Sequence, residues 1–446
     1  MRRREAISAI LAAPIVAVRA IGAQSPDLTS LTIAQAGQRL ASRDITPLQL
    51  ANAYLAHIEQ LNPSLNAFIT VTADLARREA KALPSRKSVL PRLYGIPIAH
   101  KDLFETRGVR TTAGSLLFED YTPDTNAAIV QQLEDAGAVL VGKTNTHELG
   151  GGVSTINPFF GTTRNPADHT RIPGGSSGGS AAAVVAHLCA AATGSDTGGS
   201  VRIPAAFCGC VGFKPTHGRF STQGLIAASP TFDHVGFLTR TVEDMQIVTG
   251  LPTLTQTSPM RVGVANPYFF TGPDEVNTPF LDGVAHLGSL GHRITRVDVP
   301  VDDKTMARVF DPVFAFEMWS RFGPDWRTSP ASFSKSMAGF FSSPRPSIAE
   351  YETGLAALED YQAAVDTLFD SVDIILTPTV AAVAPPITGP IDGTRILRNT
   401  WPFNAAGTPA ISVPAKTAGL PAGIQLIARR GEDDTLLRFA RALGSS

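Results

Sequence analysis

Two serines lie in glycine-rich settings: Ser176 within 174–179, and Ser200 directly behind Gly198 and Gly199. A lysine, Lys101, closes an apolar run upstream. A serine hydroxyl is a weak nucleophile until a base takes its proton. Glycines permit backbone shapes and close approaches that a Cβ would block, so a serine beside them can be presented together with successive backbone N–H groups. Such donors suit the oxyanion of an acyl-transfer reaction, where they supply one of the larger parts of catalysis. Lys101 can act as a base only when neutral, which requires a pKa far below the ordinary lysine value of roughly 10.4. Burial behind the run 96–100 is the setting that lowers it. Taken alone, Lys101 reads as a salt-bridged lysine at a strand end. With two serine beds downstream, an acyl-transfer site becomes the leading reading.

Other chemistries fit less well. Gly174 to Gly178 matches the G-x-S-x-G string, but a nucleophile elbow needs a strand immediately before it, and 165–173 reads as a loop. No Gly-Lys-Ser/Thr follows the glycines, so a phosphate loop fits poorly. His147-Glu148 lacks the second histidine of a zinc protease, and Cys208-Gly-Cys210 has no second ligand pair. The three cysteines, Cys189, Cys208 and Cys210, read as buried thiols rather than a disulfide framework. No metal or cofactor is expected.

The elements that must position these residues alternate along the chain. Helices are expected over 32–40, from Thr46-Pro47 onward with Thr46 as N-cap and Pro47 at the first helical position, and over 73–83, 126–136, 180–186 and 241–249. Strands are expected over 65–71, 96–100, 138–142, 190–194, 261–265 and 373–376. A polar connector occupies 85–91. The alternation argues an α/β fold with a largely internal sheet. The region 305–369 differs: it is helical in pattern and rich in aromatics from Phe310 to Phe341, with Pro324, Pro330, Pro344 and Pro346 dividing it into short pieces. It reads as a helical cap, its rings serving either as cap core or as walls of a pocket.

The 446 residues are 43% hydrophobic and 17% charged, with a formal net charge of −1. That composition fits a soluble globular protein. Without a dense basic block beyond the first residues, there is no electrostatic footprint for nucleic acid, and small molecules are the expected partners. The N-terminus, with Arg2, Arg3 and Arg4 before an apolar run and a small-residue stretch at 20–23, reads as an export leader over 1–23. Twin-arginine export to the periplasm or the medium is therefore expected, with 24–446 a single domain.

The chain resembles the amidase signature hydrolases over nearly everything after Leu28. The resemblance is carried by Tyr94–Asp102 (YGIPIAHKD), Thr111–Ser115 (TTAGS), Gly142–Asn145 (GKTN), Phe160–Pro166 (FGTTRNP), Gly174–Ser180 (GGSSGGS), Gly194–Ala206 (GSDTGGSVRIPAA), Gly212–Thr216 (GFKPT) and Gly407–Ala410 (GTPA). It implies a mixed central sheet flanked by helices. It also implies Ser200 as nucleophile, Ser176 as a bridging serine on a cis peptide from Gly175, and Lys101 as base. Gly150, Thr197, Gly198 and Gly199 are implied around the substrate and its oxyanion, with Asp196 and Arg202 as scaffolding. Ile203 stands where members that use glutamine as ammonia donor commonly carry a polar residue. The leading expectation is an amidase acting on a small, mostly uncharged amide, with esters and carbamates as further candidates. The alternative is the glutaminase-like component of a glutamine-dependent amidotransferase, the one known as its A subunit.

Overall fold

The computed structural model describes residues 27–83, 90–251 and 258–444. The expected leader at 1–23 and most of the connector at 85–91 lie outside the described residues. Eleven strands form one sheet: β1 (Phe68–Val71), β2 (Pro97–Lys101), β3 (Val139–Thr144), β4 (Ala191–Asp196), β5 (Val211–Lys214), β6 (His234–Thr239), β7 (Arg261–Ala265), β8 (Arg293–Val297), β9 (Ile374–Pro378), β10 (Ala410–Pro414) and β11 (Gly423–Ala428). Their order across the sheet is β1-β3-β2-β4-β6-β5-β10-β11-β9-β7-β8. The pairs β2·β3, β2·β4, β7·β8 and β7·β9 are parallel, and the remaining pairs are antiparallel. The sheet is mixed, as the resemblance implied. Strands β2 to β6 and β9 are buried along their whole length, so none of them shows the alternation of a half-exposed strand.

Local signals account for several helices. Thr46 caps the helix Pro47–Leu65, its hydroxyl accepting from the Gln49 N–H while the Gln49 side chain returns a bond to the cap, and Pro47 occupies the first turn. This helix continues to Leu65, so the strand expected from 65 begins only at Phe68. Its C-cap, Asn66, takes the left-handed conformation that asparagine tolerates better than most residues.

The region 305–369 is helical, formed by Asp303–Val309, Asp311–Thr328, Lys335–Ser342 and Ile348–Leu368. One expectation fails there. Pro324 does not break the chain but lies inside the helix Asp311–Thr328. Met318 and Phe322 before it, and Trp326 after it, pack into one apolar cluster, and that packing outweighs the proline's local penalty. The aromatic rings mostly pack on one another, as in Trp319–Phe341, Trp326–Phe333 and Phe340–Phe341. The cap-core reading therefore covers most of them.

The fold places the chemistry through β2 and β4. They are adjacent and parallel, with Ile98 opposite Ala191 and Ala99 opposite Ala192, so their C-terminal ends emerge side by side. That end of a parallel pair is where open α/β sheets bind ligands. Here it brings Lys101, the last residue of β2, next to Ser195 and Asp196, the last of β4.

Candidate active site

Lys101 is fully buried, and its Nζ lies 2.7 Å from Ser176 Oγ and 2.8 Å from Ser195 Oγ. No carboxylate forms an ion pair with it among the described residues. The salt-bridged lysine belongs instead to the neighbouring strand, where Lys143 meets Asp102 at 3.3 Å. Burial drives the Lys101 pKa down to about 7, against the opposing pull of the Asp233 and Asp196 carboxylates. An amine in that range is neutral in a large fraction of molecules near neutral pH. Its lone pair can then accept a proton from Ser176 while an N–H still donates to Ser195.

Ser176 sits just before the helix Gly178–Val185, and the peptide joining it to Gly175 is cis, as the resemblance implied. Its carbonyl is held by the His147 N–H at 3.1 Å, Thr146 Oγ1 at 3.0 Å and Thr155 Oγ1 at 3.3 Å. These bonds aim the Ser176 side chain toward Lys101. Gly150 also belongs here: a Cβ on it would lie 3.7 Å from Ser176 Oγ.

Ser200 follows β4 through Thr197, Gly198 and Gly199. The two serine loops are joined directly, because the Ser177 N–H donates to the Ser200 carbonyl at 3.1 Å. Exposure rises in the order Lys101 0%, Ser176 1%, Ser200 5%. Ser200 is therefore the least buried of the three. Gly199 has φ +138°, and a Cβ there would stand 2.1 Å from Thr400 Oγ1, so the close approach of Thr400 requires glycine. Thr400 in turn donates to the Gly198 carbonyl at 2.6 Å, which fixes that peptide's orientation.

The scaffold beneath the loop is ionic. The Arg202 guanidinium donates to both Asp196 oxygens, at 3.0 and 2.8 Å, and to Gln425, Asn404 and the Thr400 carbonyl. Asp196 also accepts from the Val201 and Arg202 N–H groups and from Asn404. Burial alone would raise the Asp196 carboxyl, but the Arg202 guanidinium holds it well below the usual carboxylate range. Neither residue approaches the reacting serines as a proton carrier, in agreement with the scaffolding role. Both side chains are fully buried, and removing one partner strands the other's charge. Arg202→Met is expected to lower the unfolding free energy by about 3–5 kcal/mol in a urea titration, and a wild-type transition midpoint would refute the scaffold role.

Sequence reasoning missed three neighbours of the site. Ser195 is the second partner of Lys101. Asp233 accepts from Thr197 Oγ1 at 2.5 Å. Thr400 locks Gly198. Only Ser195 lies within a motif that could have signalled it; the others act across long sequence separations. Arg321 and Arg327 of the cap helix Asp311–Thr328 are both exposed. Among the described residues no group of three or more His, Cys, Asp or Glu is placed to hold a metal, and Cys189, Cys208 and Cys210 are free and buried.

Comparison with known proteins adds to this geometry. A family model described as Amidase matches residues 49–437. The chain belongs to the amidase signature family. Among its relatives, the A subunit of the glutamyl-tRNA(Gln) amidotransferase of Roseiflexus sp. (strain RS-1) is 35% identical over 473 aligned positions, covering 93% of this chain and 96% of that protein. Among solved structures, an amidase superposes with a TM-score of 0.86 at 31% identity, covering 93% of this chain and 99% of that one. A bacterial aryl acylamidase of the family superposes with a TM-score of 0.84 at 25% identity, covering 93% and 95%. Amide hydrolysis is thus the activity supported at the level of the amidase signature family, and the mixed sheet with its flanking helices is the family's fold.

Proposed function

We infer that this amidase cleaves the C–N bond of a small, mostly uncharged amide through an acyl-enzyme on Ser200. The observation that carries the reaction type is the buried Lys101 Nζ, 2.7 Å from Ser176 Oγ. Neutral Lys101 accepts the Ser176 proton as Ser176 accepts the proton of Ser200, and the Ser200 oxygen attacks the carbonyl carbon. The oxyanion is met by the backbone N–H groups of the Thr197–Gly199 stretch. Collapse of the tetrahedral species breaks the C–N bond, and the proton returns through Ser176 to the leaving nitrogen. Water then enters by the same relay, donates its proton toward Lys101, and releases the acid and free Ser200. One relay serves as base and acid in both halves.

The surroundings of the oxyanion loop support a neutral acyl group. On the side of Gly198 where a side chain would stand, the nearest atoms belong to Leu397, Phe310 and Trp401. The corresponding side of Gly199 meets Thr400 Oγ1 first and then Ile203 Cδ1. Of the cap aromatics, Phe310 is the ring that reaches the loop, and the others named above remain in the cap interior. Apolar walls with a few fixed polar groups are the usual make-up of a small-molecule site.

The curated relatives favour a second reading over this one. The curated relatives are amidotransferase A subunits over nearly their whole length, which favours glutamine as the amide donor and partner proteins as receivers of the ammonia. Matched kinetics separate the two. A neutral aryl or medium-chain acyl amide is expected to exceed glutamine in kcat/KM, and esters and carbamates of the same acyl size belong in the same panel. A preference for glutamine would overturn the neutral-amide reading and establish the second.

A further inference from the structure

The turn 228–233 is clasped from two sides. Toward the site, buried Asp233 accepts from Thr197 Oγ1 at 2.5 Å with one oxygen, and from the Ala228 and Ser229 N–H groups at 2.8 and 2.9 Å with the other. Toward the cap, Glu317 of the helix Asp311–Thr328 accepts from Ser229 Oγ, from the Thr231 N–H at 3.2 Å and from Thr231 Oγ1 at 2.6 Å. The Tyr351 hydroxyl donates to the same carboxylate at 3.2 Å. Between the two clasps, Phe232 stacks on Phe310 with ring centroids 4.4 Å apart, and Phe310 lies against Gly198.

The glycines that let the loop take its shape also leave it conformationally free. An oxyanion hole works only when its donors are already oriented. Thr400 holds the loop from one side through the Gly198 carbonyl, and Asp233 holds it from the other through the Thr197 side chain. We propose that Asp233 is a positioning residue for acyl transfer, restraining Thr197 and with it the Gly198 and Gly199 donors, and that Glu317 extends this restraint into the helical cap. This rests on the Ser200–Ser176–Lys101 reading above.

Asp233 has a second, electrostatic effect. The charged and titratable groups acting around Lys101 are the Asp233 and Asp196 carboxylates and the buried His147 ring. Burial lowers His147 to about 4, so it is neutral through the working range. Burial raises the Asp233 carboxyl to about 6, so near pH 7 it is largely negative and favours the ammonium form of Lys101. Removing that charge lowers the lysine pKa further, and the neutral base is then available at lower pH.

The test uses the full chain with Thr197→Val, Asp233→Asn and Glu317→Gln, assayed on the best amide of the panel and by the rate of fluorophosphonate labelling. Thr197→Val and Asp233→Asn are expected to lower kcat by about 10- to 100-fold, the scale of a misplaced catalytic group, with KM little changed. Glu317→Gln should show a smaller loss in the same direction. The acid limb of kcat/KM should move to lower pH in Asp233→Asn and stay in place in Thr197→Val. Wild-type kcat in Thr197→Val, or an unmoved acid limb in Asp233→Asn, would overturn the proposal. Should Asp233→Asn fail to fold, Thr197→Val decides alone, since it leaves the carboxylate bonded to its two backbone donors. Failure of the wild-type chain to label at Ser200 would count against the underlying reading, whereas variants that label as fast as a labelled wild type would remove only the role of Asp233.

Discussion

Ser200→Ala is expected to abolish turnover, by roughly 10⁴-fold or more as for removal of other serine nucleophiles, together with all covalent labelling by a fluorophosphonate. The substitution removes one oxygen and leaves the glycine bed, the Ser177 bond to the residue-200 carbonyl and the Asp196–Arg202 scaffold in place, so the fold should be retained. Ser176, 2.7 Å from Lys101, is untouched by the substitution, and the experiment therefore distinguishes the two serines. Ser176 is 1% exposed, its hydroxyl is turned to the amine, and it should not label. Peptide mapping of the labelled wild-type chain is expected to place the adduct on Ser200. An adduct on Ser176 would reverse the assignment of nucleophile and bridge.

Lys101→Ala should have the next largest effect, a loss of about 10²–10⁴-fold in kcat/KM, the range of general acid–base catalysis. It should also change the pH profile. The lysine works when neutral, so wild-type kcat/KM should rise with pH through about 7, where burial places the Lys101 pKa, and level off above it. In the variant that limb should vanish. Retention of more than about a tenth of the activity lies well outside that range and would remove the lysine from the relay. The same burial has a stability consequence. The folded pKa lies below the unfolded one, so the unfolded chain binds more protons between the two values. Stability should therefore increase with pH from about 7 toward the ordinary lysine value.

Much of the framework could be read from local pattern. The capped start at Thr46-Pro47, the strand leading to Lys101 and the strand over 261–265 are each specified by neighbouring residues, through capping, apolar runs or turn chemistry. Local pattern fails where distant packing sets the outcome. The helix through Pro324 persists because Met318, Phe322 and Trp326 join the cap interior. The antiparallel strands β5, β6, β10 and β11 are not legible as strands from local pattern, since each is defined by partners far along the chain. In β5, for instance, Val211 pairs with Thr239 while Lys214 pairs with Ala410.

The site divides the same way. The sequence pointed to acyl transfer and to the two serines, because the glycine beds that make a serine usable are contiguous with it. It also determined that Lys101 ends an apolar strand. Lys101 is named as base by the resemblance, and local pattern alone does not show which lysine lies against a serine. Lys101, Lys143 and Lys214 are all fully buried, and residue type does not separate them. The tertiary structure does: Lys143 is spent on Asp102, Lys214 donates to the Thr408 and Pro215 carbonyls, and Lys101 alone of these three lies against Ser176 and Ser195. The side-by-side exit of the parallel strands β2 and β4 decides this. Equally, only the fold brings Asp233 and Thr400 to either side of the oxyanion loop, because their hydrogen bonds to Thr197 and Gly198 join segments that no local pattern links.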